Sequence, residues 1–262
     1  MKCLQMLIHH RRLIWNLILL DFKVRYAGSR LGLLWILVGP IMILGSYLFV
    51  FGSILRIQPM PGLSGFDYGL LVTCGLLPWI GFSEGIIGGT NSVLAHRNLM
   101  RGQLFPMELI PVTAVCSGLV GQLLGIALLL LVLGVRGMWG ANLLWLPGLV
   151  ICQAMFTVGA VWILSCINIL FRDLSQIVRL AMVLLMFISP IAYTAHMVPH
   201  GLDLAITLNP LSFVIEGYRD TVLFGRHPEL PGMALFGSVA LVLLNMGYHY
   251  FMRLKKLLPD LV

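Results

Sequence analysis

The uncharged stretches of this chain are longer than a soluble core helix needs, and they fix the solvent in which it folds. A helix rises about 1.5 Å per residue, so about 20 apolar residues cross the hydrocarbon of a bilayer. Leu31 to Leu55 holds no acid or base at all, and Tyr68 to Ala95 holds one acid, Glu84. Leu109 to Val135, Leu143 to Phe171, Ile177 to Ala195 with Arg179 near its start, and Met233 to Met252 complete six predicted spans. Only 10% of the 262 residues are charged, against about 25% in a soluble domain, and the mean hydropathy is +0.97. The expectation is an all-α membrane protein of six transmembrane helices forming one domain over residues 1–262, with no soluble catalytic part.

Residues 1–30 precede the first span. Leu13 to Leu20 is apolar behind His9, His10, Arg11 and Arg12, as in a secretory signal, but Asp21, Lys23 and Arg25 follow and no small-residue cleavage pattern does. At about 100° per residue, Gln5, His9, Arg12, Asn16, Lys23 and Arg30 share one sector, which suits a helix lying on the lipid surface or docked on a cytoplasmic partner. Arg11, Asp21 and Arg25 break that pattern, although Asp21 and Arg25 are spaced to pair.

Thirteen of the 17 Lys and Arg fall in alternating segments: before the first span, between the second and third, around the fourth-to-fifth loop, and after the sixth. Arg56, Arg136, Arg219 and Arg226 lie on the other side, so the positive-inside rule puts both termini in the cytoplasm. The net charge of +7 then reflects topology and contact with anionic lipid, and asks for no nucleic-acid partner. Cys3, Cys74, Cys116, Cys152 and Cys166 show no paired or metal-binding spacing. None of the four lysines, Lys2, Lys23, Lys255 and Lys256, follows a glycine, which excludes a phosphate-cradling Gly-Lys-Ser/Thr loop: ATP that drives this protein binds another chain.

Two connections stand out. His96 to Pro111 reads as a docking surface or as a solvated positive loop. Residues 196–232 are long and not plainly hydrophilic: Leu202 to Leu208 and Leu211 to Phe224 are apolar but too short to cross, with Asn209-Pro210 between them. This predicts two short re-entrant or interfacial helices before the sixth span, residues 233–252, and a cytoplasmic tail, residues 253–262.

Within the spans, Gly81, Gly85 and Gly89, then Gly121 and Gly125, recur every fourth residue and predict seams of close helix approach. Gly81-Phe82-Ser83-Glu84-Gly85 matches the nucleophile elbow of serine hydrolases in form, but that elbow needs a strand-turn-helix and a nearby histidine, and no histidine falls in mid-span. Glu84 is a candidate proton relay because an intramembrane carboxylate is expensive, though no membrane-embedded base accompanies it. Trp35, Tyr47, Phe49, Phe51, Trp79, Phe82, Trp162, Phe187 and Tyr193 serve as interfacial anchors or as the lining of a wide pore in which rings stack on sugars.

Arg25-Tyr26-Ala27-Gly28-Ser29-Arg30-Leu31-Gly32-Leu33-Leu34-Trp35 followed by Gly39-Pro40 resembles the entry to the first span of polysaccharide-export ABC permeases, which move O antigen, capsule or teichoic acid chains. Leu76-Leu77-Pro78-Trp79, Asn91-Ser92-Val93, Phe105-Pro106, Phe171-Arg172-Asp173-Leu174, Ser189-Pro190-Ile191-Ala192-Tyr193, Asn209-Pro210-Leu211 and Glu216-Gly217-Tyr218-Arg219 continue the resemblance in order over nearly the whole chain. It implies two copies of the permease and two ATP-binding subunits carrying ATP and Mg, with no cofactor or metal held by this chain, exporting a lipid-linked polysaccharide across the inner membrane. Arg12, Lys23, Arg25, Tyr26 and Arg30 would belong to the cytoplasmic interface helix. His96, Arg97, Asn98, Leu99, Arg101, Phe105, Pro106, Arg172 and Asp173 would meet the ATPase. Trp35, Tyr47, Phe51, Trp79, Phe82, Phe187 and Tyr193 would face the sugar path, with Glu84 in it and of open role, and Asn209, Pro210, Glu216, Tyr218 and Arg219 would form the outer re-entrant segment. O antigen is the expected cargo, and capsule and teichoic acid share the motifs. The rivals are a proton-coupled transporter using Glu84 and an intramembrane hydrolase using Ser83.

Overall fold

A computed structural model describes residues 6, 9–47, 49–50, 65–96, 106–137, 139–193 and 209–255. Among these there are eight α-helices and no strand. They are α1 (Arg11–Arg25), α2 (Trp35–Tyr47), α3 (Gly65–Ala95), α4 (Leu109–Val135), α5 (Leu146–Leu170), α6 (Leu174–Ile188), α7 (Pro210–Val222) and α8 (Leu230–Leu254). One-turn 3-10 helices, Gly32–Leu34 and Ala141–Trp145, lead into α2 and α5. Among the described residues four segments are long and apolar enough to cross a bilayer: Asp67–Ala95, Leu109–Val135, Ala141–Leu170 and Leu230–Leu254.

Local chemistry explains where the helices begin. Proline in the first turn of α5, α7 and α8 gives up an N–H that has no intrahelical acceptor there anyway. Before α7, the Asn209 side chain accepts a hydrogen bond from the Leu211 N–H at 3.0 Å. Between α1 and α2 the chain turns through Gly28 and Gly32, both at positive φ, and the Trp35 indole N–H donates to Ser29 Oγ at 2.9 Å. The turn delays the helix: α2 starts at Trp35, four residues after the expected Leu31.

The fifth predicted span needs a larger correction. Its helix ends at Ile188, because Pro190 follows and disfavours helical geometry at Ser189, which is extended at ψ 138. The 15 residues of α6 reach only about 22 Å, short of about 30 Å of hydrocarbon.

α3 is the centre of the fold. It packs against α4, α5, α6 and α7, and 83% of its apolar window is buried, compared with 22% for α8, which packs chiefly on α5. The glycine seams explain how helices approach so closely. A Cβ on Gly81 would collide with the Gln122 side chain, one on Gly89 with Val161, and one on Gly125 with Leu77. A Cβ on Gly118 would stand 2.9 Å from the Gly85 nitrogen. Gly247 of α8 sits on the backbone of Gly159 in α5, a crossing that no sequence spacing announced, since neither has another glycine three or four residues away. Gly121 departs from the expected seam, for nothing lies within 4 Å of its would-be Cβ. Thr73, Thr90, Thr157 and Thr221 return their hydroxyls to carbonyls one turn back, so their helices carry no unsatisfied donor there.

Candidate functional site

Amides are costly in lipid unless paired, and two of them meet at the middle of the bundle. Gln122 of α4 and Gln153 of α5 are fully buried and exchange reciprocal hydrogen bonds of 2.9 and 3.0 Å. Gln122 Nε2 also donates to the Tyr218 hydroxyl of α7 at 2.7 Å, and Gln153 Nε2 donates to the Pro78 carbonyl of α3 at 3.0 Å. Four helices are thereby joined by two side chains. Sequence reading missed both glutamines, because a single amide in an apolar span carries no periodic signal.

Arg219, at the far end of α7, is only 3% exposed. Its Nη2 donates to the Ile191 carbonyl at 2.7 Å, its Nη1 to the Tyr193 carbonyl at 3.0 Å, and its Nε to the Leu71 carbonyl of α3 at 3.4 Å. The Tyr68 hydroxyl takes the remaining carbonyl, Ala192, at 2.9 Å, and Asn209 Nδ2 donates to Ser189 Oγ at 2.8 Å. Non-helical backbone at membrane depth survives only where protein satisfies it. Here the acceptors belong to the Ser189-to-Tyr193 motif, and the donors are Asn209 and Arg219 of the later motifs together with Tyr68 of α3. Gly75 allows the approach, since a Cβ there would stand 3.0 Å from the Ile191 Cα. Past Arg219, burial pushes the Asp220 carboxyl up, opposed by nearby Arg226. Glu216 is half-buried on the same helix.

The opposite end of the bundle gathers a second polar group. Lys255, just past α8, donates to Glu108 Oε2 at 2.6 Å, and the buried Trp162 of α5 donates its indole N–H to the Glu108 carbonyl at 2.9 Å. Glu108 thus fastens the start of α4 to α5 and α8. Pro106 precedes it, and His96, ending the α3 side, stands with Nδ1 2.9 Å from the Ser92 carbonyl. Arg172 and Asp173 are exposed in the turn between α5 and α6, where the Asp173 carbonyl accepts from Gln176 and Ile177. Arg97, Asn98, Leu99, Arg101 and Phe105 fall outside the described residues, as do Phe51 and the piece Leu202 to Leu208.

Of the aromatics expected along a path, Trp79 and Phe82 are buried in the core, their ring centroids 6.4 Å apart, with Phe82 against Phe156. Trp162 is equally buried, edge-on to Tyr248. Phe187 is on the outer face of α6, and the Tyr193 hydroxyl bonds back to the Ile188 carbonyl at 2.6 Å. Tyr47 closes α2. Trp35 and Glu84, by contrast, share a cleft of about 80 Å3 bounded by α1, α2, α3 and α4. Tyr26 lines it too, its ring parallel to that of Phe22, and Arg12, Lys23 and Arg30 are exposed on or just beyond α1, whose last residue is Arg25. Ser83, the nominal elbow nucleophile, donates to the Ile80 carbonyl within a continuous helix. Among the described residues no three of His, Cys, Asp and Glu gather as a metal site would require.

Residues 12–223 match the family described as ABC-2 type transporter. An O-antigen export system permease protein RfbA of Myxococcus xanthus is 30% identical over 91% of this chain and 90% of its own. One of the same name from Klebsiella pneumoniae is 33% identical over 78% of each chain. The polysialic acid transport protein KpsM of Escherichia coli is 25% identical over 88% of this chain and 89% of its own.

Proposed function

We propose that this chain, which belongs to the ABC-2 type transporter family, is the permease subunit of a polysaccharide exporter whose cargo is lipopolysaccharide O antigen on a polyprenyl carrier. The observation that carries the reading is the end-to-end similarity to O-antigen export permeases, 30% identical over about nine-tenths of both chains. The capsule-type alternative has a relative at 25% identity, over a similar share. In this reading two copies of the permease join two ATP-binding subunits, which carry ATP and Mg, in the inner membrane.

The chain crosses six times with both termini cytoplasmic, α2 and α6 belonging to two of the crossings. α7 then enters and leaves on the outer side, and its buried polar contacts support that placement. The end holding His96, Glu108, Arg172 and Lys255 faces the ATPase. ATPase closure presses on residues 96–106, and the Glu108 junction passes the displacement into α4, α5 and α8 together. The hydrolase reading gains nothing from the geometry, since Ser83 is engaged with its own helix.

The test is co-expression with candidate ATP-binding subunits and assay of the purified assembly. A stable complex with vanadate-sensitive ATP turnover, and none from the permease alone, is the expected result. ATP hydrolysis by the isolated chain would refute the division of labour.

A further inference from the structure

The last helix, α8, has two faces of unlike chemistry. Phe236, Ala240, Leu244, Gly247 and Phe251 are buried, and the helix packs chiefly on α5. On the other side Leu235, Val239, Val242, Met246, His249 and Arg253 are all exposed. They recur at intervals of four and three residues, which puts them in one stripe within about 80° of arc. The stripe is apolar for its first four members and polar for its last two. In a helix long and apolar enough to cross a bilayer, that is the order in which acyl chains and headgroups follow one another.

The 25 residues of α8 rise about 37 Å, against about 30 Å of hydrocarbon, so its last turns reach the headgroups. Tyr250, exposed there, belongs to the interfacial belt. Arg253 makes no hydrogen bond or ion pair with any described residue. Helical side chains lean toward the helix N-terminus, so its guanidinium leans toward the His249 ring one turn before it. His249 Nδ1 stands 2.8 Å from the Asn245 carbonyl oxygen. A carbonyl only accepts, so the proton of the neutral ring is on Nδ1, and Nε2 faces outward as an acceptor with no partner among the described residues.

The end of the stripe therefore pairs a fork of cationic donors with a single acceptor, on positions whose Cβ atoms are about 5–6 Å apart in a helix. The fork suits a phosphate, and the acceptor suits a hydroxyl a short linker away from it. No Asp or Glu occurs between Leu230 and Leu254, so an ammonium headgroup would meet the guanidinium with no carboxylate of this helix to hold it. We infer that this face of α8 binds an anionic phospholipid with a hydroxylated headgroup, phosphatidylglycerol in type. Arg253 takes the phosphate, His249 Nε2 accepts a hydrogen bond from a headgroup hydroxyl, and the acyl chains lie along Leu235, Val239, Val242 and Met246. The site requires only that α8 crosses the bilayer; it depends on neither the cargo nor the ATP-binding partner, and its test uses no transport.

The experiment is native mass spectrometry of the delipidated full-length chain titrated with phosphatidylglycerol, phosphatidylethanolamine or phosphatidic acid, which has the phosphate but no headgroup alcohol. The wild-type chain should retain phosphatidylglycerol about fivefold better than phosphatidylethanolamine. Arg253→Gln should remove most of that preference, and a preference it leaves unmoved overturns the site. Arg179→Gln takes the same charge from an exposed position on α6 and should change little. An equal drop there would mean diffuse attraction to basic residues and is equally fatal. His249→Phe keeps a ring and loses the acceptor: it should lower phosphatidylglycerol retention about twofold to threefold and leave phosphatidic acid unchanged. Equal losses of the two lipids would reduce the ring to packing and overturn the hydroxyl contact. Lipid held by monomers and absent from dimers would put a second copy of the chain on this face and overturn the lipid assignment.

Discussion

The junction of α3, α4, α5 and α7 and the cleft beside α1 and α2 are built from the same materials, small residues and isolated polar groups in apolar helices, to opposite ends. At the junction the would-be side chains of Gly81, Gly89 and Gly125 are already occupied by Gln122, Val161 and Leu77, and Gln122, Gln153, Tyr218 and Arg219 each have partners. At the cleft, Gly39 and Gly121 face nothing within 4 Å and Ser117 has no partner among the described residues. Glycine spacing therefore reports where backbone is bare, and only the neighbours decide whether the bareness serves packing or leaves room.

The contrast breaks most visibly at Arg219. Replacing it by Met leaves the Ile191 and Tyr193 carbonyls without donors, and the expected loss is about 3 kcal/mol. Thermal denaturation of the detergent-solubilised protein checks this, and a midpoint within about 2 °C of wild type would mean that the clasp is dispensable. Next comes Gly81→Ala, which drives a methyl into Gln122 and should destabilise by about 1–3 kcal/mol.

Gln153→Leu should have a smaller effect, roughly 0.6–1.7 kcal/mol, as measured for hydrogen bonds between membrane helices. A double change with Gln122→Leu should fall short of the sum of the single effects, because the two amides share their bonds. Gly121→Ala should be the mildest and opposite in sign, gaining up to about 1 kcal/mol of helix propensity. If Gly81→Ala and Gly121→Ala move the midpoint alike, the two regions do not differ as described.

Sequence reading reached the long helices because a 3.6-residue period is irrelevant when a whole span is apolar: length alone marks α3, α4, α5 and α8. It placed Asn209-Pro210 at a boundary, and the cap and first-turn proline bear that out. It overran α6, for Ser189-Pro190 ends the helix while the composition stays apolar through Ala195. The polar junction was illegible for a different reason. Gln122 and Gln153 lie 31 residues apart on different helices, and their pairing exists only once α4 and α5 are set beside each other. Glu84 could be flagged by its cost in lipid, but its companions Ser117 and Trp35 come from other helices.

The clasp also imposes an order of events on synthesis. Ile191 receives its donor from Arg219, 28 residues later in the chain. At about 5–20 residues per second, a ribosome takes roughly 1–6 s to deliver that guanidinium. Until then the carbonyls after α6 have no arginine to meet, so the turn at 189–193 gains its final contacts only once α7 has been made.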